Sequence, residues 1–328
     1  MNSGPALLQV RKLEVTYPVR TALGRRGGRL TAVAGVSFEL HRGRIFGLVG
    51  ESGCGKSSLA RAIIGLTAAA AGAVLYQQRE LSQMDVRELR QTRRQIQYLF
   101  QDPLAALSPR RNIWQTLLEP LTLYRIGGRE SQRSRIENVL GIVDLHHEVL
   151  TRFPHELSGG QCQRVALARA LVAEPAVIIA DEPMSSLDVS VQARMITLIR
   201  KVQHETGIAM LLISHDLAVV QQLADEVAVM YLGQIVEAGP AARVFSKPSH
   251  PYTRALFAAA SRRHFGPDAM SVPLHGDPPS ALTPPAGCVF HTRCPLVMTD
   301  CLTRSPMEAN LAASSSGNHT VRCHLWNS

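Results

Sequence analysis

"RIFGLVGESGCGKSSLARAIIGL", residues 44–66, decides how the rest of the chain is read. It opens on a strand-sized apolar run, Ile45–Val49, and closes on a helical segment. Between them lies "GESGCGKS", Gly50–Ser57, which fits G-x-x-x-x-G-K-[ST]. Glycines at 50, 53 and 55 let successive backbone N–H groups converge on phosphate oxygens, and the helix N-terminus adds partial positive charge. In such a loop Lys56 reaches the β- and γ-phosphates and Ser57 ligates Mg²⁺. The expected phosphate-binding set is Gly50, Glu51, Ser52, Gly53, Cys54, Gly55, Lys56, Ser57 and Ser58. A chance glycine-rich turn has no reason to join a buried strand to a helix.

Two further stretches carry related chemistry. "VIIADEP", Val177–Pro183, ends a buried strand on two carboxylates, and such strand ends border phosphate loops in parallel sheets. Asp181 suits a water-mediated contact to Mg²⁺. Glu182 suits polarising an attacking water, because phosphoryl transfer needs an oriented nucleophile and little covalent help. Alone, the pair would read as helix-capping acids. "LSGGQ", Leu157–Gln161, is a second glycine-rich turn that opens a helix, one more than a simple ATPase needs.

Around these motifs, strands and helices alternate, which implies a mostly parallel sheet covered on both faces. "LLQVRKLEVTYPV" and "TAVAGVSFEL" alternate apolar and polar residues and read as strands. "AVIIADEP" and "IAMLLISH" are buried strands, "SVQARMITLIRKVQHETG" a helix ending at Gly207, and "DEVAVMYLGQIVEAG" a hairpin. Residues 104–155 are mostly helical. From Ser246 the chain turns Pro-, Gly- and polar-rich, which places a boundary at 246–265. No repeat of 20–50 residues is visible.

The 328 residues carry a net charge of +9, with 35 basic residues of which all but four are arginine. Such a balance fits nucleic acid or an anionic surface. The arginines are spread along the chain, however, which favours an ordinary solvated surface. One cluster, residues 19–29, reads as an exposed loop. No apolar run reaches the roughly 20 residues of a membrane span. The N-terminus lacks the pattern of a signal peptide. A cytoplasmic setting follows as the expectation, where clustered cysteines serve metals or catalysis more often than disulfides.

"GESGCGKS", "LSGGQ", "ADEP", "SSLD" (185–188) and "ISHD" (213–216) occur in the order and spacing of an ABC transporter nucleotide-binding subunit, which residues 10–245 closely resemble. The resemblance implies an α/β fold: a P-loop ABC ATPase cassette with a RecA-like core, an antiparallel β part and a helical subdomain at about 104–160. The cassette would occupy residues 1–245, with a small cysteine-containing extension over 246–328. It implies that Tyr17 stacks on adenine, Gln101 in "YLFQDP" joins Mg²⁺ to the membrane partner, and His215 contacts the γ-phosphate. It also implies that Ser158, Gly159, Gly160, Gln161 and Asp188 complete the nucleotide site of a head-to-tail dimer. Cys162 departs from the pattern, standing where a longer polar residue is usual.

"FQDPLAALSPR", "RFPHELSGGQ", "ADEPMSSLDVSVQARM", "HPYTRAL" and the tail "PPSALTPPAGCVFHTRCPL" resemble oligopeptide/dipeptide permease ATPases in particular. This resemblance implies an importer energised by ATP and Mg²⁺ on the cytoplasmic face of the cell membrane. Its partners would be a second ATPase (a paralogue or a copy of itself), two integral membrane permease subunits and an extracytoplasmic solute-binding protein, with no nucleic acid. Nickel, metal-chelate or other small solutes use similar ATPases. Soluble cassette ATPases of translation or DNA repair usually carry two cassettes or a long coiled coil, and this chain has neither.

Four of the six cysteines, Cys288, Cys294, Cys301 and Cys323, lie in the tail. Their C-x₅-C-x₆-C-x₂₁-C spacing matches no short zinc or ferredoxin pattern. Zinc, an iron–sulfur cluster and structural thiols stay level on spacing alone, with His291 and His324 beside them as further zinc candidates. The permease resemblance implies a [4Fe–4S] cluster on the four cysteines.

Overall fold

The computed structural model describes residues 5–20, 26–185, 187–265, 276–311 and 318–326. Its strands are β1 (Leu8–Arg20), β2 (Arg26–Leu40), β3 (Ile45–Val49), β4 (Ala71–Tyr76), β5 (Arg79–Glu80), β6 (Ile96–Leu99), β7 (Val177–Asp181), β8 (Ala209–Ile213), β9 (Glu226–Tyr231), β10 (Gln234–Pro240), β11 (Glu308–Asn310) and β12 (Thr320–Arg322). Its helices are α1 (Lys56–Ile63), α2 (Val86–Gln95), α3 (Pro103–Ala106), α4 (Ile113–Leu123), α5 (Arg129–Ile142), α6 (Gly159–Leu171), α7 (Val189–Thr206), α8 (Leu217–Leu223), α9 (Ala241–Ser246), α10 (Pro251–Phe265) and α11 (Thr299–Thr303). The chain forms two compact units, one of residues 1–8, 39–44 and 75–213 and the other of residues 9–38, 45–74 and 214–328.

The first unit holds the parallel strands β6, β7 and β8. Ile96 pairs with Val177, and Val177 with Ala209. All five residues of β7 and of β8 are buried. Strands covered on both faces lose polar alternation and read as continuous apolar runs. The helical stretch α3–α6 lies in the same unit. Asn112 and Gln115 cap α4 reciprocally, which satisfies two backbone donors that a helix start otherwise leaves open. α7 stops at Gly207, whose φ of 63° is the left-handed conformation that closes a helix.

In the second unit β3 runs parallel to β9, with Phe46 opposite Glu226 and Val49 opposite Val229. β9 and β10 form the expected hairpin. Its two turn residues, Leu232 and Gly233, have φ of 44° and 82°, the paired positive values whose twist suits a tight hairpin. The outer edge of β10 takes β12, with Glu237 opposite Val321, and β12 takes β11. The tail therefore extends the sheet. β2, β1 and β4 are successive neighbours in a separate sheet.

The long elements match the sequence reading. The basic stretch 19–29 does not stay a loop throughout, since β1 reaches Arg20 and β2 begins at Arg26; residues 21–25 lie outside the described residues. Strands β5, β11 and β12 have two or three residues, too few for a period to register. The Pro-rich region after Ser246 contains a fifteen-residue helix, α10.

Within the second unit a buried carboxylate ties β10 to the start of α10 and to the tail. Glu237, fully buried on β10, accepts the Ser249 N–H at 2.8 Å and the His250 N–H at 2.9 Å. His319 Nε2 stands 2.9 Å from the same side chain. His250 Nδ1 accepts the Tyr252 N–H at 3.0 Å. Burial holds the His250 imidazole down at about 4, against an ordinary value near 6.5. Between pH 6.5 and 4 the unfolded chain takes up a proton that folded His250 refuses, so stability is lost as pH falls through that window. The loss should be about 2 kcal/mol between pH 7 and 5. Denaturant titrations at the two pH values should show it in the wild type. It should be largely absent in His250→Asn, whose amide oxygen can still accept from Tyr252.

Candidate functional site

The phosphate loop, Gly50–Ser57, joins β3 to α1 in the second unit. Gly50 and Gly55 are required by close backbone approach. A Cβ on Gly50 would stand 2.2 Å from the Met230 carbonyl oxygen, and one on Gly55 would stand 2.0 Å from that of Ala32. Lys56 is buried, and its Nζ donates to the carbonyls of Gly50 at 2.8 Å and Glu51 at 3.0 Å. The loop is thus curled around its own ammonium. Cys54 Sγ lies 3.7 Å from that nitrogen, and burial pushes the thiol upward despite the neighbouring cation. Tyr17 Oη donates to Ser58 Oγ at 3.2 Å, which sets the aromatic ring at the first turn of α1. His215 is exposed on a fixed backbone. Ser214 N–H donates to the Leu48 carbonyl at 3.2 Å, and Asp216 caps α8 through the N–H groups of Ala218 and Val219.

In the first unit Asp181 ends β7, buried, and accepts from Tyr98 Oη at 2.7 Å. Glu182 follows with φ of 49°, a left-handed conformation that costs a non-glycine residue about 1–2 kcal/mol. Such strain gathers at functional positions. Its N–H donates to the Ile213 carbonyl at 2.9 Å, and Gln101 Nε2 donates to its Oε2 at 3.3 Å. Two residues chosen separately from the sequence, 101 and 182, therefore touch. No motif flagged Tyr98, although an aromatic hydroxyl on the strand beside β7 could have been suspected.

The second glycine-rich turn is held by a capping box. Ser158 Oγ accepts the Gln161 N–H at 3.3 Å, and Gln161 Oε1 accepts the Ser158 N–H at 3.0 Å. A Cβ on Gly160 would stand 2.7 Å from Val191 Cγ1. Ser158, Gly160 and Gln161 line a cavity of about 460 Å³ together with Arg152, Arg164 and Arg194. Asp188 precedes α7 as its N-cap residue; Ser186 of "SSLD" lies outside the described residues. Cys162 points inward, fully buried, with Sγ 3.4 Å from the Pro154 carbonyl. A longer polar residue there would need a different packing, and the turn keeps its geometry without one.

In the tail, Cys288, Cys301 and Cys323 are buried and Cys294 is half-buried. The Cys288 N–H donates to the Cys301 carbonyl at 2.9 Å. Burial pushes the Cys288 thiol up to about 11, with the other three tail cysteines contributing in the same direction. Burial raises Cys294 and Cys323 as well. His291 Nδ1 lies 2.9 Å from the Cys288 carbonyl and His324 Nε2 lies 2.8 Å from that of Arg304. Among the described residues no group of three or more His, Cys, Asp or Glu side chains stands close enough to hold a metal ion. The expected iron–sulfur or zinc ligand set finds no support in this geometry.

The profile of the ABC transporter family matches residues 33–185, and that of the oligopeptide/dipeptide transporter C-terminal region matches residues 236–301. The oligopeptide transport ATP-binding protein OppF of Escherichia coli is 43% identical over 325 residues, covering 97% of this chain and 95% of OppF. This chain belongs to the ABC transporter ATPases, in their oligopeptide/dipeptide branch. OppF of Haemophilus influenzae is 41% identical, covering 98% of each chain. The cassette fold recurs in CbiO1 of Clostridium perfringens, part of an ABC transporter complex, at a TM-score of 0.64 and 25% identity over 79% of this chain and 96% of that one. It recurs in the cassette MJ0796, solved as a dimer with ADP and Pi, at a TM-score of 0.62 and 27% identity over 70% and 96%. This ABC ATPase is accordingly an ATP-hydrolysing transport subunit. Among the described residues no helix is long and apolar enough to cross a membrane.

The backbone at Glu182 gives a test that separates strain from contact. Glu182→Gly relieves a left-handed conformation and gives up side-chain interactions that include the bond to Gln101, so its melting temperature should stay close to that of the wild type. Asp181→Gly empties a buried, hydrogen-bonded position and should melt several degrees lower. Differential scanning calorimetry of both variants checks the contrast.

Proposed function

We propose that this chain binds and hydrolyses ATP to energise the uptake of oligopeptides. The single observation that carries the reading is the 43% identity to OppF across nearly the whole length of both chains, tail included. In this reading residues 1–245 act as the nucleotide-binding cassette and 246–328 as the family's C-terminal extension. The chain works peripherally at the cytoplasmic face of the membrane, beside two permease subunits, a second ATPase and an extracytoplasmic solute-binding protein.

The residues divide the chemistry. Lys56 and the N–H groups of Gly50–Ser58 would hold the triphosphate, Tyr17 would stack on adenine, and Ser57, Asp181 and Gln101 would hold Mg²⁺. Glu182 orients and polarises the attacking water, and His215 contacts the γ-phosphate. Ser158–Gln161 and Asp188 close on the nucleotide carried by the second ATPase. The contact between Gln101 and Glu182 supports a link between the membrane-sensing glutamine and the hydrolytic carboxylate. Mg²⁺ supplies charge neutralisation along the phosphates when bound.

Glu182→Gln should bind Mg²⁺–ATP with wild-type affinity and turn it over at least 100-fold more slowly, because the amide cannot polarise water. Lys56→Ala should lose binding itself. Unchanged steady-state turnover in Glu182→Gln would remove Glu182 from the role of base. The solute is tested by uptake of labelled tripeptides in a strain lacking the gene. Loss of peptide uptake with nickel uptake intact supports the reading, and the reverse replaces it.

Whether the tail holds a metal is tested separately. Elemental analysis of protein purified without oxygen decides between its readings. About four irons per chain establishes a [4Fe–4S] cluster on Cys288, Cys294, Cys301 and Cys323, one zinc per chain establishes the zinc alternative, and neither leaves four structural thiols.

A further inference from the structure

Glu51, the second residue of the phosphate loop, is gripped by residues that lie 200 and more positions further along the chain. Arg293 Nη1 donates to Glu51 Oε2 at 2.8 Å and Nη2 to Oε1 at 3.1 Å, a two-pronged pair. The Arg293 side chain is 5% exposed and that of Glu51 25%. The Glu51 N–H donates to Tyr252 Oη at 3.0 Å, and the Glu51 carbonyl accepts from Lys56. One residue of the loop is thus fixed through its amide, its carbonyl and its carboxylate.

The gripping residues are themselves rigid. Tyr231, Tyr252 and Phe290 are buried, with ring centroids 4.6 Å apart for the tyrosine pair and 5.2 and 5.4 Å from each tyrosine to Phe290. The Arg293 guanidinium carbon stands 5.9 Å from the Tyr231 ring centre, and Nη1 reaches its hydroxyl at 3.4 Å. The turn carrying Arg293 is seated by Gly287, where a Cβ would stand 2.4 Å from the Cys301 carbonyl, and by the Cys288–Cys301 backbone bond.

We propose that Arg293 is a positioning residue for the phosphate loop. It neutralises and orients Glu51, so that the loop presents its N–H groups to a triphosphate without an adjacent uncompensated carboxylate. Tyr252 holds the same residue from its main-chain side. The tail thereby sets the nucleotide affinity of the cassette. This rests on the reading above that Gly50–Ser57 binds ATP. Arg293 and Tyr252 both reach the loop through their bonds to Glu51, so their effect runs through that residue.

The test is a double-mutant cycle on the full chain, read as the Kd of Mg²⁺–ATP and as kcat. Arg293→Ala leaves Glu51 charged beside the incoming triphosphate and should raise Kd about tenfold, with kcat at saturating ATP changed by less than about twofold. In a Glu51→Gln background, adding Arg293→Ala should change Kd by less than about twofold, because the charge it compensates is gone. Arg293→Lys keeps the charge without the fork and should fall between, and it carries the comparison if the alanine variant does not fold. An unchanged Kd in Arg293→Ala, or the same loss in both backgrounds, overturns the proposal, the second outcome showing that Arg293 merely holds the tail together. Lys56→Ala, run alongside, tests the underlying reading. If it binds ATP normally, the assignment of the loop fails whatever Arg293 does.

Discussion

Backbone packed against backbone is the constraint on which the rest depends. Gly50 and Gly55 lie so close to the Met230 and Ala32 carbonyls that only a hydrogen fits where a side chain would start. This clamps both ends of a six-residue curve whose N–H groups would otherwise sample many directions. Fixing a backbone residue costs roughly 1–2 kcal/mol of conformational entropy, and here that cost is met when the chain folds. Lys56 occupies the curve through the loop's own carbonyls, so an incoming triphosphate need only exchange one set of oxygens for another. The packing also makes the loop sensitive to whatever holds β9, β2 and the start of α10.

The carboxylate end of β7 obeys a different rule. Asp181 is extended, buried and satisfied by Tyr98, whereas Glu182 is twisted into a left-handed conformation and shares its side chain with Gln101. The twist ends the strand abruptly and turns Glu182 away from the strand's alternation. A glycine would adopt this conformation more cheaply, so its occupation by a glutamate points to chemistry over stability. The signature turn is built the opposite way. Ser158 and Gln161 satisfy each other's backbone in an ordinary capping box, and the low-strain result is a helix N-terminus beside three arginines.

The sequence made legible what depends on local pattern. β3, β7 and β8 appear as apolar runs, α7 ends where Gly207 allows it, and the phosphate loop is written in consecutive residues. It could not show what depends on distant partners. Arg293 and Glu51 are separated by 242 positions, and nothing in "HTRCP" indicates that its arginine reaches a phosphate loop. Tyr98 and Tyr252 have the same character, being ordinary aromatics in sequence whose hydroxyls find their use only in the fold. The cysteines show the converse limit. Family resemblance suggested a metal from their number and placement, yet among the described residues no group of three or more His, Cys, Asp or Glu side chains is placed to hold one, and the nearby histidines face main-chain carbonyls.

The central claim is that the loop at residues 50–58, held from the tail, is where ATP binds. Hydrogen exchange with and without Mg²⁺–ATP measures this amide by amide. The account predicts strong slowing over 50–58, with weaker slowing over 250–254 and 287–294, where the holding residues sit. Exchange at 50–58 that is unchanged by saturating ATP would contradict it.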